Sequence, residues 1–427
     1  MTVLAFWQAI KFDSLAVSAL GWAGGYLTPF LLSTGQANEI GLFTYIVLLE
    51  AGLLAILLKK EKWVVLELLT VLATYAVFFA WFIEYYDENE LLLPMFFLSL
   101  FWAIFYAFDI IQHLRSVSLH RPLRIISAAG NAAFYYACVY ILLYPKYFDQ
   151  AGAVTLGIGL VYFLTVFILK NKIANAWAVL SQYTVTAIAL LVFATAIQFS
   201  GFTIITLWSL EALLLVLCSV RWPLAYVRNA ALVLFVVAAI ALLNMRSALA
   251  YQPIEDFSLI FNARFLAFAT LGLALGTSAY VLRQKESAGT PQMITLLQIG
   301  CCLVFLVLFT VETLDIFEKA IFRLRQQALS TGASNAINQL KNLQQLTLSG
   351  VWLFYSIILM AGGLWSRIQG LRFAAIALFG ISILKVFIYD LSYLDTLYRI
   401  FSFIGLGVIL LGVSYLYQRY KILLFEK

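Results

Sequence analysis

The sequence contains little charge and few residues of the kinds that catalysis and metal binding use. Charged residues make up only 11% of its 427 residues, and there are two histidines and four cysteines. All four cysteines fall inside apolar runs and no Cys-x-x-Cys pair occurs, so neither a zinc site nor a disulfide framework is expected. No nucleophile elbow, zincin motif or nucleotide-binding fingerprint occurs either. We therefore identify no catalytic residue and expect no metal and no cofactor.

The positive charges are too scattered for a nucleic-acid-binding surface. The formal net charge is +6, but the basic residues lie in short segments between apolar runs. Nucleic acid is therefore not an expected partner. The chain is 64% hydrophobic with a mean hydropathy of +0.96. A soluble domain of this composition would expose large apolar patches to water, so membrane lipids are the partner that the composition predicts.

Apolar runs of about twenty residues recur along the whole chain, and each is long enough to cross roughly 30 Å of hydrocarbon. Such runs are too long for the strands of a barrel, and open sheet edges cannot face lipid, so the spans are helices. The sequence predicts an all-α membrane protein, one polytopic domain over residues 1–427 with about 14 transmembrane helices. The predicted spans are 14–32, 38–58, 63–83, 91–112, 123–144, 149–169, 174–198, 201–220, 226–245, 262–282, 292–313, 348–366, 371–389 and 398–418.

The distribution of Lys and Arg predicts which side of the membrane each connection faces. With a cytoplasmic N-terminus, 18 of the 27 basic residues fall in cytoplasmic segments. The opposite side collects acidic residues, as in EYYDENE at 84–90. Both termini are therefore predicted to be cytoplasmic. No cleavable signal-peptide pattern is present, so the first helices are expected to serve as insertion signals.

One connection, residues 315–347, is long and is predicted to lie on the outer side. Its apolar residues recur at helical spacing opposite three basic residues, Lys319, Arg323 and Arg325; the apolar residues are Ile316, Phe317, Ala320, Ile321 and Leu324. The pattern predicts an outer amphipathic loop. It either forms a helix on the membrane surface or packs as a lid over the helix bundle.

Two stretches 144 residues apart carry matching residues: Trp208 with Trp352, Arg228 with Arg372, Ala231 with Ala375, and Phe235 with Phe379. Each stretch reads as a helix, a basic inner turn and a second helix. We interpret 201–245 and 345–389 as a hairpin repeat. The predicted fold is therefore an array of repeated helical hairpins, as in many transporters.

The glycine-rich stretch GWAGGYLTP at 21–29 is not a phosphate-binding loop, because no Gly-Lys-Ser/Thr follows it. It lies in the first predicted span. There Gly21, Gly24 and Gly25 fall close to one helical face, where missing side chains let a neighbouring helix approach closely. Pro29 then kinks or ends the helix. Such a face either packs tightly against another helix or forms the wall of a substrate cavity.

Two parts of the chain carry a resemblance to a known family. One is GWAGGYLTPFLLSTG near the start, and the other is a pattern formed by Lys385, Asp390, Leu394, Arg399, Ser402, Phe403, Gly407, Leu416, Tyr417, Gln418 and Arg419. In both, the sequence resembles the bacterial membrane family known as domain of unknown function 2339. Its members are commonly longer, with extra helices and often a coiled coil ahead of the glycine motif, whereas this chain begins almost at the motif. The resemblance implies a multi-pass protein of the bacterial cytoplasmic (inner) membrane, and no mechanism, since the family has no assigned activity.

Acidic residues inside the spans are the first functional candidates, because a charge is costly in hydrocarbon. Glu50 and Glu211 lie near the middle of their predicted spans, and Asp109 lies in the cytoplasmic half of its span. We interpret the three as a candidate intramembrane proton or substrate pathway. The alternative is a structural role, in which a hydrogen-bonded glutamic acid ties two hairpins together.

A second candidate group lies at the predicted outer end of the last two spans: Lys385, Asp390, Asp395 and Arg399. These residues would form an outward-facing ionic cluster that binds an anionic headgroup or a sugar. The alternative is an ion pair that closes the last hairpin, with the Lys385 side chain reaching toward the membrane surface.

Three classes of function fit these patterns. We place first a transporter or flippase for an amphipathic or envelope-related substrate, which the number of spans, the hairpin repeat and the deep carboxylates favour. A structural or scaffold subunit that binds partner membrane proteins comes second, because no compelling catalytic site is present. A membrane enzyme acting on a lipid-linked sugar comes third, supported by the acidic segment 84–90 and the outer ionic cluster alone.

Overall fold

The computed structural model describes residues 7–8, 11–31, 38–60, 62–115, 121–144, 146–170, 177–221, 225–245, 258–284, 290–327, 333–388, 404, 407–408, 411–412 and 415. These residues contain thirteen helices with described bounds and no strand. In chain order the helices are α1 (Leu15–Leu31), α2 (Glu39–Leu57), α3 (Val64–Tyr85), α4 (Leu92–Leu114), α5 (Arg121–Leu143), α6 (Phe148–Leu169), α7 (Trp177–Gln198), α8 (Phe202–Arg221), α9 (Ala225–Asn244), α10 (Ala263–Gln284), α11 (Pro291–Gln327), α12 (Ala333–Trp365) and α13 (Gln369–Ile388).

Twelve of the described helices, α2 to α13, are long and apolar enough to cross a membrane. Helix α1 is also apolar but has only 17 residues. The last of the fourteen predicted spans, 398–418, lies mostly outside the described residues. The predicted all-α polytopic architecture is confirmed, and the cytoplasmic placement of both termini stays a prediction.

The helices form two compact units. Unit 1 extends from Met1 to Gln198 and contains α1 to α7, whereas unit 2 extends from Phe199 to Lys427 and contains α8 to α13. The boundary falls at the short connection before α8, where Gly201 has a φ of +62°. Glycine adopts this left-handed conformation without the strain that a Cβ would add. The apolar pattern predicts a single domain because it marks the spans without showing which of them pack together.

Unit 1 is held together by aromatic packing. Phe43 of α2 is fully buried, and its ring centroid lies 4.8 Å from that of Trp81 and 5.3 Å from that of Phe97. The three residues come from α2, α3 and α4. Tilted and edge-on ring pairs of this kind stabilise a core beyond the burial of their area.

The α6–α7 hairpin of unit 1 packs through small residues. A Cβ added at Gly152 would lie 3.2 Å from the carbonyl oxygen of Ala194, and one added at Gly159 would lie 3.2 Å from the Cβ of Leu190. Glycine at these two positions lets the backbones of α6 and α7 approach closely. Membrane helices commonly associate in this way, because lipid leaves no hydrophobic drive between them.

The predicted outer amphipathic loop 315–347 stays a prediction, and its described residues belong to two long helices. Residues 315–327 continue α11, and residues 333–347 begin α12. No glycine or proline interrupts residues 311–327, so nothing ends α11 at the membrane boundary. Helices of 37 and 33 residues are about 55 Å and about 50 Å long, well beyond the roughly 30 Å of hydrocarbon. Within the apolar stripe Ile321 is buried, whereas Ile316 is exposed.

Helix bounds in unit 2 agree at an offset of 144 residues. That is the spacing between the last residues of α8 and α12, and between the first and the last residues of α9 and α13. Buried Ala231 and Leu234 of α9 correspond to buried Ala375 and Leu378 of α13. The hairpin repeat of 201–245 and 345–389 stays a prediction, which these coincidences support.

Candidate functional site

Glu50 places a carboxylate in the interior of unit 1. It belongs to the face of α2 whose residues recur every three or four positions and are buried: Phe43, Ile46, Leu53 and Leu57. Glu50 is 0% exposed, and among the described residues no hydrogen-bond donor reaches either of its carboxylate oxygens. An ionised carboxylate in this place loses its hydration and gains no partner in return, which is costly. The site therefore suits the neutral acid, or a carboxylate that gains a cation or a proton.

Asp109 of α4 lies in a more polar setting. The hydroxyl of Tyr183 on α7 donates a hydrogen bond to Oδ2 of Asp109 at 2.5 Å. His113 follows one helical turn later, and its Nε2 lies 3.1 Å from Oδ1 of Asp109, at ion-pair distance but without hydrogen-bond alignment. Asp109 and Tyr183 are both buried, so water does not compete for these contacts.

Helices α3 and α5 bring further polar groups to Asp109. Glu67 of α3 is hydrogen-bonded to Ser127 of α5 and lies within electrostatic range of Asp109, His113 and Arg124. We call this group the buried polar cluster; it consists of Glu67, Asp109, Gln112, His113, Arg124, Ser127 and Tyr183. With both carboxylates ionised, its net charge is −1 when His113 is neutral and zero when His113 carries a proton. The cluster therefore gathers two carboxylates, a guanidinium and an imidazole in the interior of unit 1, the types of group that form proton relays in membrane proteins.

Polar aromatic residues extend from the buried polar cluster into unit 1. The ring centroid of Tyr183 lies 6.0 Å from that of Tyr106 and 6.1 Å from that of Tyr162. The hydroxyl of Tyr106 is hydrogen-bonded to that of Thr165. Nε1 of Trp102 donates to the hydroxyl of Tyr162 at 2.9 Å. Two hydrogen-bonded pairs, Tyr106 with Thr165 and Trp102 with Tyr162, therefore lie beside the ring of Tyr183.

The same series continues toward Glu50. Asn131 donates through Nδ2 to the carbonyl oxygen of Trp102 at 3.2 Å, and its Oδ1 accepts from the hydroxyl of Tyr75 at 2.7 Å. Tyr75 and Tyr26 both lie within electrostatic range of Glu50. We call the series the polar file; it consists of Tyr162, Trp102, Asn131 and Tyr75. It extends from Tyr162, whose ring lies beside that of Tyr183, to Tyr75, which lies within electrostatic range of Glu50.

The third predicted pathway residue lies in the other unit. Glu211 is half-buried on α8 of unit 2, whereas Glu50 and Asp109 belong to unit 1. The pathway prediction therefore rests on Glu50 and Asp109, which one helix bundle contains.

Lys385 links two helices of unit 2. Its Nζ donates to the carbonyl oxygen of Gln345 at 3.0 Å and to Oγ of Ser349 at 2.8 Å, which ties α13 to α12. Asp390, Asp395 and Arg399, the other members of the predicted outer ionic cluster, lie outside the described residues. The outer ionic cluster stays a prediction.

Comparison with known proteins places the chain in a family. The family model described as "Predicted membrane protein (DUF2339)" matches residues 1–339 and 231–420. The chain belongs to this family. The match confirms the resemblance seen in the glycine-rich motif and the C-terminal pattern. No curated protein and no solved structure matches the chain.

In this DUF2339 protein, the glycines of the N-terminal motif differ in their surroundings. Gly21 and Gly25 are buried, and the hydroxyl of Tyr45 on α2 donates to the carbonyl oxygen of Gly25 at 2.8 Å. Gly24 departs from the prediction, because it is exposed and a Cβ added there would meet nothing within 4 Å. Adjacent residues of a helix are rotated by about 100°, so Gly24 falls at the edge of the face on which Gly21 and Gly25 are buried.

Unit 2 of this DUF2339 protein also contains a buried ion-pair cluster, which the sequence pattern does not predict. Arg264 of α10 is 1% exposed, its Nη2 lies 2.6 Å from Oε1 of Glu312 on α11, and its Nη1 contacts Asp315. Nδ2 of Asn262 donates to both oxygens of Glu312 at 3.2 Å, and Oδ1 of Asn262 accepts from the amide of Phe265 at 2.7 Å, which caps α10. We call Arg264, Glu312 and Asp315 the ionic clamp. The sequence does offer one sign of this cluster: a basic residue near the start of one span and two acidic residues near the end of the next could meet at the same side of the membrane.

Proposed function

We propose that this protein is a transporter or flippase of the bacterial cytoplasmic (inner) membrane, and that it moves an amphipathic or envelope-related substrate. The polar file between Glu50 and the buried polar cluster carries the proposal. Ionisable groups inside membrane-spanning helices are costly, and they typically mark proton relays or substrate pathways. In this proposal the carboxylates of unit 1 bind and release protons as the substrate moves.

Glu50 and Asp109 have different surroundings, and these suit different steps of proton-coupled transport. Glu50 is enclosed and lacks a hydrogen-bond donor among the described residues, so its ionisation requires water, a cation or a substrate group beside it. Asp109 already has Tyr183 and His113, so its ionised form is supported. In this proposal a proton moves from the buried polar cluster to Glu50 and neutralises it. The neutral Glu50 then releases the cation or substrate group that its ionised form binds.

Lipid movement in vesicles tests the proposal. The full chain is reconstituted into vesicles that contain a fluorescent phospholipid, and dithionite is added outside with and without a pH gradient. We expect fluorescent lipid of the inner leaflet to move to the outer leaflet, where dithionite reduces it, in vesicles with the wild-type protein. We do not expect this with Glu50→Gln, which keeps the shape of the side chain and removes the titratable group. Glu84→Gln, at an exposed position of α3, is the matched control and should behave as wild type. Equal rates for wild type and Glu50→Gln would contradict the role given to Glu50.

A scaffold function is a second proposal, favoured by the lengths of α11 and α12. Both helices are long enough to continue beyond the hydrocarbon, and their extended ends offer a helical surface to partner membrane proteins. Arg323→Ala and Arg325→Ala change exposed residues of the α11 end. If these variants lose a co-purifying membrane protein while lipid movement persists, the scaffold function is supported alongside transport. If the same proteins co-purify with both variants, this surface is not the docking site.

A further inference from the structure

A cavity of about 830 Å³ lies within unit 2, at the end of the helices that the basic residues predict to be cytoplasmic. The last two turns of α10, the early part of α11 and the turn between α12 and α13 form its wall. A Cβ added at Gly276 of α10 would lie 3.2 Å from Sγ of Cys301 on α11, so the glycine lets the two helices approach closely at this part of the wall. The volume falls in the range of sites that bind small molecules.

The wall combines a buried apolar part with an exposed polar part. Ala279 is buried and Leu371 is half-buried, whereas Arg283 and Ser366 are exposed. Nη1 of Arg283 donates to the carbonyl oxygen of Ser366 at 3.2 Å, which orients the guanidinium beside the opening. Among the described residues that line the cavity, Arg283 is the one cation and none is a carboxylate. The charge therefore favours an anion, and the apolar part favours a hydrocarbon chain.

Two exposed aromatic residues stand in the same wall. Tyr280 is 63% exposed and Trp365 is 92% exposed, although both side chains are large and partly apolar. Tyr and Trp are enriched where hydrocarbon meets lipid headgroups, since their rings are apolar and their polar atoms can face water. Their presence beside Arg283 indicates that the opening lies at headgroup depth.

We propose that this cavity binds one anionic phospholipid of the cytoplasmic leaflet. Its phosphate accepts hydrogen bonds from the guanidinium of Arg283, which has five N–H donors and uses one on Ser366. One acyl chain enters the apolar part beside Ala279 and Leu371. Basic pockets between membrane helices on this side recognise anionic headgroups in this manner. The proposal is independent of transport, because none of its residues belongs to unit 1.

Native mass spectrometry of the purified full chain in detergent tests the proposal. Dioctanoyl phosphatidylglycerol and dioctanoyl phosphatidylcholine are titrated, and the lipids bound per chain are counted. We expect the anionic lipid to bind more tightly, and Arg283→Gln to weaken its binding by about tenfold while binding of the zwitterionic lipid stays unchanged. Arg367→Gln removes the same charge from an exposed position outside the cavity wall and is the matched control.

A second variant separates the cavity from the charge. Gln298→Trp leaves Arg283 in place and fills part of the cavity, so it should lower binding of the anionic lipid at least as much as Arg283→Gln. The proposal is overturned if Gln298→Trp binds the lipid as wild type does, or if Arg367→Gln weakens binding as much as Arg283→Gln. It is also overturned if inorganic phosphate displaces the lipid at equal concentration, because the ligand would then be a free anion.

Discussion

The hydroxyl group of Tyr183 donates a hydrogen bond of 2.5 Å to the carboxylate of Asp109, although the two residues are 74 positions apart in the chain. The bond joins α7 to α4 in the interior of unit 1, where both residues are buried. A hydrogen bond to a carboxylate is stronger than one between neutral groups. It engages one oxygen of Asp109, and His113 faces the other.

Tyr183→Phe removes this donor and leaves the ring in place. We expect the free energy of unfolding to fall by about 1–3 kcal/mol, because one buried carboxylate oxygen loses its partner. Denaturant unfolding of the purified protein in detergent measures the change. Tyr144→Phe, at an exposed tyrosine, is the control and should change the value by less than about 0.5 kcal/mol. Similar losses for both variants would show that the bond to Asp109 contributes little.

Arg264→Met leaves Glu312 and Asp315 without their guanidinium in the interior of unit 2. We expect a loss of about 3–5 kcal/mol in the free energy of unfolding, since the two carboxylates stay buried and unbalanced. Arg325→Met, on an exposed part of α11, should have almost no effect. Thermal unfolding of the three proteins compares them. A loss of less than about 1 kcal/mol for Arg264→Met would mean that the ionic clamp stabilises little.

The exposed pair of Asp13 and Lys60 predicts a pH dependence. The hydrogen bond from Nζ of Lys60, at 2.5 Å, and the attraction of its charge lower the pKa of Asp13 below the usual 3.8. Because the folded-state pKa lies below the unfolded-state value, the pair stabilises the fold above about pH 4, and this contribution is lost as the pH falls through the folded-state pKa.

Asp13→Asn tests that dependence. Asp13 has a φ of 52°, a conformation that asparagine also adopts readily, so the variant changes the charge and not the backbone. The difference in Tm between the two proteins should be constant from about pH 7 to about pH 5 and should shrink as the pH falls below about 4, through the folded-state pKa of Asp13. High salt should reduce it at every pH. A difference that persists unchanged at the lowest pH would rule out the carboxylate as its cause.

Gly152→Ala and Gly157→Ala form a matched pair on α6. The new Cβ at residue 152 would lie 2.8 Å from the Cβ of Gln198 and 3.2 Å from the carbonyl oxygen of Ala194, whereas at residue 157 nothing lies within 4 Å. We expect Gly152→Ala to lower the free energy of unfolding by about 1–3 kcal/mol through overpacking. Gly157→Ala should raise it by up to about 1 kcal/mol, because alanine favours the helix. Unfolding in a denaturing detergent compares the two, and shifts of the same sign would contradict the close approach of α6 and α7.

The membrane spans could be predicted from the sequence because the thickness of the bilayer sets the length of each apolar run. Because the spans could be located, the position of Asp109 inside one of them could be predicted as well. Its contact with Tyr183 did not, because the two helices are three spans apart and no local rule pairs such helices. The burial of Glu50 within the protein also required the structure, since an apolar run does not show which of its sides faces lipid.

The amphipathic pattern after residue 315 shows a second limit. A stripe of apolar residues is the same whether it faces lipid or another helix, so the pattern of Ile316 and Ile321 could not distinguish a surface helix from a continued span. For Arg264, the residue could be recognised in the sequence but its partner could not. Its charge was visible near the start of a span, but its pairing with Glu312 depends on the packing of α10 against α11.

Helix α11 is continuous from Pro291 to Gln327. Cys301 and Cys302 line the cavity near its first turns, and the helix then passes the ionic clamp and continues for about 38 Å from Cys302 to Gln327. One continuous helix thus joins the wall of the cavity to the ionic clamp and to the exposed end that carries Arg323 and Arg325. A substitution at the ionic clamp therefore alters a helix that also forms part of the cavity wall.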